Sequence, residues 1–222
     1  MIASEWSLGS SKFLLDPTGI VYWPEQRLMA VADLHLEKST AFAARGLLLP
    51  PYDTSVSLAM LHDAMIRYNP ETLLALGDSF HDNGGPGRMA STEREKLAAI
   101  TALAETIWIA GNHDPDLRQQ VPGRHADEWR IGSFRFRHEP ATDIPTGSFE
   151  FAGHLHPKAR VRLRGQSISR SCFIGDARRL ILPSFGAYTG GLDVSDPAIG
   201  NLFPNGAEIF MRGKERVYRF AI

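Results

Sequence analysis

The chain has 222 residues, 43% of them apolar and 22% charged, which suffices for one sizeable hydrophobic core and is unlike a fibre or a disordered tail. Its net charge of -1 gives no overall attraction to nucleic acid or membrane, so a site for a charged substrate has to be local. No apolar run approaches the ~18 residues of a membrane span, the first residues form no basic and apolar leader, and the lone Cys172 excludes an intramolecular disulfide. The expectation is a cytoplasmic protein of one domain, 1–222, with no membrane contact.

In chain order, "RLMAVAD" (27–33) is a short apolar run that stops at an aspartate, as a buried strand leading into a loop does. "DTSVSLAMLHDAMIRY" (53–68) has helical spacing at Val56, Leu58, Leu61, Met65 and Tyr68. "TLLALGD" (72–78) repeats the form of the first strand. "STEREKLAAITALAE" (91–105) opens with Thr92 and Glu95 at capping-box spacing and continues with Leu97, Ile100 and Leu103. "TIWIAGN" (106–112) is a third strand of the same kind. The alternation predicts a sheet with right-handed crossovers.

From about residue 128 the pattern turns to period two, in 129–138, 148–154, 159–165, 171–176, 178–185 and 215–222. These runs predict a second sheet, largely antiparallel. Two packed sheets with helices outside give an α/β (α+β) fold, a four-layer α-β-β-α sandwich of mixed sheets. The glycine-rich 82–91 and the irregular 184–206 are loops, the latter long enough to suggest a function.

Polar residues gather just past these strand ends: Asp33 and His35, Asp78, Asn112 and His113, His138, and His154 and His156. Open α/β sheets assemble sites there. Carboxylate, imidazole and amide oxygen without thiolate suit divalent manganese, iron or zinc. Taken singly, an aspartate after a strand is a turn residue, and Asn112 could cap a helix beginning near Pro115. The two histidines flanking one leucine in "GHLHP" are harder to explain by packing. Five such blocks in order favour a metal site over five unrelated turns.

The order "DLH", "GD", "GNHD", "H", "GHLH" resembles the calcineurin-like metallophosphoesterases, and the sandwich inferred above is similar to their fold. The variants "ADLHLEK", "LGDSFHD", "GNHDP", "GHLHP" and "LILPSFGAYTGGLDV" look like the bacterial ligase-associated DNA damage response endonuclease group. This resemblance implies two divalent metal ions, manganese first with iron and zinc as alternatives. It implies that Asp33, His35, Asp78 and His156 hold one ion and that Asp78, Asn112, His138 and His154 hold the other. The pair would activate a shared water for in-line attack on phosphorus. His113 would stabilise the transition state or protonate the leaving group; Asp114, the nearest carboxylate in sequence, could orient it or equally cap a helix. The resemblance also implies functional association with a DNA ligase and a helicase.

His125 competes with His138 for the isolated-histidine block, and His138 is preferred because it ends a clear strand shortly before the H-x-H pair. His81 could contact substrate. Leu36 and Glu37 stand where many relatives have a glycine, which narrows the approach to the first metal. His62 and Cys172 read as packing residues. Arg160, Arg162 and Arg164 alternate with Val161 and Leu163 and so share one strand face, where a phosphate backbone could lie, and Phe185 and Tyr188 could stack bases. The expected activity is that of a phosphodiesterase, an endonuclease acting on DNA in bacterial repair. Its rivals are a phosphomonoesterase or small-nucleotide phosphodiesterase with the same site and a non-catalytic metal-dependent scaffold.

Overall fold

The computed structural model describes residues 1–117, 120–163 and 165–221. Seven strands form the first sheet in sequence order: β1 (Ser4–Leu8), β2 (Ser11–Leu15), β3 (Val21–Trp23), β4 (Leu28–Val31), β5 (Thr72–Leu76), β6 (Glu105–Ile109) and β7 (Arg124–Ala126). The strands β1 to β4 run antiparallel, and β4 to β7 run parallel. Helices α1 (Lys38–Ala43) and α2 (Asp53–Tyr68) occupy the β4 to β5 crossover, and α3 (Gly85–Arg88) and α4 (Ser91–Thr101) the next one.

The second sheet comprises β8 (Glu128–Ile131), β9 (Phe134–Arg137), β10 (Phe149–Ala152), β11 (Lys158–Leu163), β12 (Gln166–Gly175), β13 (Arg179–Ile181), β14 (Glu208–Arg212) and β15 (Val217–Ala221). Its centre is parallel, since β10 pairs in parallel with both β9 and β13. The other pairings, β8 with β9, β12 with β11, β13 and β14, and β14 with β15, are antiparallel, so the sheet is largely antiparallel as expected and both sheets are mixed.

Strand alternation builds the layers. Leu74, Leu76, Ile107 and Ile109 point between the sheets, where they join Phe13, Phe136, Phe151, Phe173 and Phe210 in one core. Their neighbours Leu73, Ala75 and Trp108 point outward and pack with Leu58, Leu61, Met65, Leu97 and Ile100 of the helices. Over the far face of the second sheet lie Ile199 and Phe203, carried by the loop 184–206 and its single helical turn α5 (Pro197–Gly200). The sandwich is therefore thick with helix on one side and thin on the other.

Some local expectations fail for identifiable reasons. Helix α4 starts at Ser91, so Thr92 lies inside its first turn and bonds to Glu93 instead of capping, and the helix ends before Leu103, which is exposed. The run 129–138 is a hairpin that turns at Gly132 (φ +56°). His62 is exposed rather than packed, whereas Cys172 is buried. Among the described residues no helix is long and apolar enough to cross a membrane.

Candidate metal centre

Strands β4, β5 and β6 run in parallel, so their C-terminal loops emerge at one edge, and the loops after β9 and β10 meet them across the sandwich. The alternating D-x-H and H-x-H blocks adopt a costly backbone there. Asp33 (φ 56°), His35 (φ 43°), Asp78 (φ 48°), His154 (φ 70°) and His156 (φ 46°) all lie in the left-handed region, which costs a non-glycine residue about 1–3 kcal/mol. Hydrogen bonds between loops hold it: the His35 N–H donates to the Asp78 carbonyl at 2.9 Å and the Gly153 N–H to the His138 carbonyl at 3.0 Å.

Two glycines explain the spelling of the motifs. A Cβ on Gly111 would meet the Asp78 backbone nitrogen at 2.1 Å, and one on Gly153 would meet Asp33 Oδ2 at 2.6 Å. "GN" and "GH" thus let neighbouring ligand loops touch.

The expected ligand atoms converge in two groups, Asp33 with His35 and His156, and Asp78 with His138 and His154, each within 4.8 Å, and His35 also meets His81 and His113 within that distance. In the first, His156 Nε2 is 3.2 Å from Asp33 Oδ1 and 3.4 Å from His35 Nε2. In the second, His138 Nε2 lies 2.9 Å from Asn112 Oδ1, 3.1 Å from His154 Nδ1 and 3.4 Å from Asp78 Oδ1. His138 Nδ1 sits 3.0 Å from the Leu76 carbonyl, which fixes the proton on that nitrogen and leaves Nε2 as an acceptor among acceptors. A proton shared with Asp78 or a metal cation satisfies such a convergence. Separations of this size also match neighbouring ligands on a dication with bonds of ~2.1 Å. The residues therefore fit a pair of divalent ions, and Asp78 turns one oxygen to each group, with Oδ2 3.9 Å from His35 Nε2.

The electrostatics agree. Burial, reinforced by the neighbouring His156, pushes His35 down to about 3, so it is a neutral donor. Burial opposes ionisation of Asp78, but its hydrogen bond and charge interaction with His138 outweigh that and hold it at about 2. Burial likewise opposes charge on His138, yet the bond to Asp78 and the field of Asp33 push it up to about 9; a proton there occupies the place a metal would take. His154 is lowered by burial and by His138.

His113 stands at the mouth with its side chain 41% exposed, Nε2 4.0 Å from Asp78 Oδ2. Its orienting partner is not Asp114. His113 Nδ1 meets the His81 carbonyl at 3.0 Å, while the fully buried Asp114 accepts the N–H groups of Phe80 at 2.8 Å and Gly111 at 3.2 Å. Asp114 thus ties the loops after β5 and β6 together, too deep to touch a substrate. Burial lifts its carboxyl to about 7. The His81 ring stacks on His113, with centroids 5.2 Å apart, and its Nδ1 is buried without a partner among the described residues.

His125 lies apart on β7, 3.3 Å from the Val121 carbonyl, so His138 is the histidine the fold brings to the centre. Asn112 meets His138, and residues 115–116 form a turn instead of a helix start. Arg160 and Arg162 are exposed on one face of β11 opposite Ser169 and Ser167, as their alternation predicts. Arg164 falls outside the described residues. Phe185 is buried in the helix-side core and unavailable for stacking, whereas Tyr188 is 46% exposed. Sequence reasoning missed Arg212, which reaches the same region from β14; no motif marks it.

The family profile described as calcineurin-like phosphoesterase matches residues 26–175, which hold every candidate ligand. The chain belongs to that family. Membership makes it a metal-dependent phosphoesterase, in agreement with the donor clusters. Among solved structures, the nuclease MPE of Pseudomonas putida aligns with a TM-score of 0.76 at 24% identity, over 98% of this chain and 100% of that one. The E. coli phosphoesterase Yfce aligns with a TM-score of 0.44 at 14% identity, over 88% of this chain and 98% of that one. The first likeness shows a shared sandwich fold across the whole length of that nuclease. No curated protein sequence matches the chain.

Proposed function

We propose that the chain is a dinuclear phosphodiesterase that cuts nucleic acid, an endonuclease acting on DNA in bacterial repair with manganese as its metal. The observation that carries the dinuclear part is Asp78, whose two oxygens face separate donor groups. Asp33, His35, Asp78 and His156 would hold one ion, and Asp78, Asn112, His138 and His154 the other. Such a pair supplies Lewis acidity and an activated water for in-line attack at phosphorus. The chain's own residues do the rest. Asp33 and Asp78 provide the charge that retains cations, and burial keeps His35 neutral so that it donates a lone pair. His113, its Nδ1–H held by the His81 carbonyl, turns Nε2 to the mouth, where it meets charge growing on phosphoryl oxygens and gives a proton to the leaving oxygen.

The two sheets share one core, which supports a single working domain over 1–222. A polymer is favoured over a small monoester because His113 is exposed and Arg160 and Arg162 present a cationic face on β11, the strand that follows His156. The nuclease with the same fold supports the same reading. The repair setting, with a DNA ligase and a helicase nearby in function, rests on the motif resemblance; a deletion strain that survives DNA damage as its parent does would remove that part.

The deciding experiment compares manganese-dependent hydrolysis of bis-4-nitrophenyl phosphate with that of the matching monoester, on metal-stripped protein and the His113→Ala variant. Diester turnover that needs metal and His113 supports the proposal. Turnover of the monoester alone favours a phosphatase, and none of either favours a binding scaffold.

A further inference from the structure

Beside the metal centre, and sharing His156 with it, opens a cleft of about 510 Å³. Its floor is the β11–β12 ladder, where Lys158 lies directly opposite Ser171, so both side chains emerge on one face. Arg212 enters from β14. Its Nη1 donates to Ser171 Oγ and to the Ser184 carbonyl, both at 3.2 Å, and its Nε donates to the Pro17 carbonyl at 2.7 Å. The guanidinium is thus held in place by neutral oxygens. Lys158, Arg170 and Arg212 line the cleft, and among the described residues no carboxylate does.

The opposite wall is apolar. Val56 and Met60 of α2, the buried Phe185 and the exposed ring of Tyr188 form it. Tyr188 takes a left-handed backbone (φ 57°), a conformation that a tyrosine adopts only where its surroundings impose it. Cations on one side, an aromatic face on the other and the metal ligand His156 at one end match the parts of a nucleotide: phosphate, base, and a second phosphate reaching the centre.

We propose that this cleft is a nucleotide subsite. It receives the nucleotide adjoining the scissile phosphate, stacks its base on Tyr188, and binds its far phosphate through Lys158 and Arg212. The inference rests on the phosphodiesterase reading and adds to it a defined place for the neighbouring nucleotide. The second phosphate is what a chain possesses and a mononucleotide lacks, so the subsite selects a polymer over its terminal product.

The test uses the full chain loaded with manganese and hydrolysing bis-4-nitrophenyl phosphate, with three inhibitors: inorganic phosphate, deoxyadenosine 5′-monophosphate and deoxyadenosine 3′,5′-bisphosphate. Phosphate reports the metal centre alone. The monophosphate is expected to inhibit about tenfold more tightly than phosphate, from stacking, and the bisphosphate about tenfold more tightly again, from its added ion pairs. Tyr188→Ala should remove the first step and Lys158→Gln the second. Because each effect is a ratio within one variant, with phosphate as internal reference, a loss of folded protein does not imitate it. Equal inhibition by all three compounds, or ratios untouched by both variants, overturns the subsite. If the protein hydrolyses no diester, the phosphodiesterase reading fails by itself, and calorimetric titration with the same three compounds still shows whether the cleft prefers the bisphosphate.

Discussion

The Asp78 carboxylate accepts the backbone N–H of His113 at 2.9 Å while the same oxygen faces His138 at 3.4 Å. One side chain therefore sets both the donor group after β9 and the loop that presents His113. The two residues should nevertheless separate on mutation. Asp78→Asn is expected to lose metal affinity by more than about 100-fold, beyond what outer-sphere changes cause. His113→Ala should keep its metal content and lose about 10²- to 10⁴-fold in kcat, the range of a general acid. Metal analysis of the dialysed variants beside their rates checks the split; a His113→Ala protein that arrives without metal would contradict it.

Gly111 offers a sharper geometric test. Its missing Cβ would fall 2.1 Å from the Asp78 backbone nitrogen, 2.2 Å from Asp78 Oδ1 and 2.8 Å from Asp114 Oδ1, the two oxygens belonging to buried carboxylates held by backbone N–H groups. Gly111→Ala must push the loops after β5 and β6 apart, at a cost of about 1–3 kcal/mol for overpacking. The expected result is a lower urea midpoint together with weakened metal binding. An unchanged midpoint and full activity would mean that the loops have room.

The metal centre was readable because polar residues interrupt apolar strands. Asp33, Asp78 and Asn112 each stop a run that would otherwise stay buried, and the H-x-H pair has no packing use. Helix α2 spans Asp53 to Tyr68 as its spacing predicts and buries Leu58, Leu61 and Met65, while Val56 stays exposed. The hairpin of β1 and β2 was there to be read too, in Trp6 and Leu8 against Phe13 and Leu15 around Gly9, but the intervening serines carry little strand preference and hid it.

Other features leave no local trace. Asp114 was expected beside His113 because the two are adjacent in sequence. The carboxylate instead answers N–H groups on two loops, one of them 34 positions away, which only the fold brings near. Arg212 follows Ser171 by 41 residues and meets it through the β12–β14 pairing. The parallel centre of the second sheet is set by how the chain returns between strands, and period two is the same whichever way a strand runs.

Away from the site, Glu150 and Arg179 form a buried pair, with Oε1 and Nη1 3.7 Å apart. Burial raises the carboxyl above its usual range, although the Ala141 N–H and Arg179 pull against it. The native state therefore binds more protons than the unfolded chain in the window just above the ordinary carboxylate value, and stability contributed by this group falls as pH rises through it. Glu150→Gln should flatten that slope. Glu150→Ala, which strands Arg179, should cost about 3 kcal/mol, and the apolar double variant Glu150→Leu/Arg179→Met should cost less than that single change. Urea melts between pH 4 and 8 measure all three, and a double variant weaker than Glu150→Ala would show that the pair is a net stabiliser.

Cys172 closes the set as a chemical probe of the second sheet. It sits fully buried on β12 between Ala152, Ile174 and Met211, and burial pushes its thiol up to about 12. The thiolate is the nucleophile, so the native protein at pH 8.5 offers almost none, whereas the unfolded chain ionises near the ordinary thiol value. Alkylation by iodoacetamide is therefore expected to be negligible in buffer and complete in denaturant, with an intermediate rate that follows the fraction unfolded across a urea series. The sign for stability follows from the same shift. Above about pH 9 the unfolded state loses its proton first, so the thiol's contribution to stability declines towards pH 12. Rapid labelling of native protein at pH 8.5, with its urea midpoint intact, would show that the layer of Ile199 and Phe203 opens locally without global unfolding.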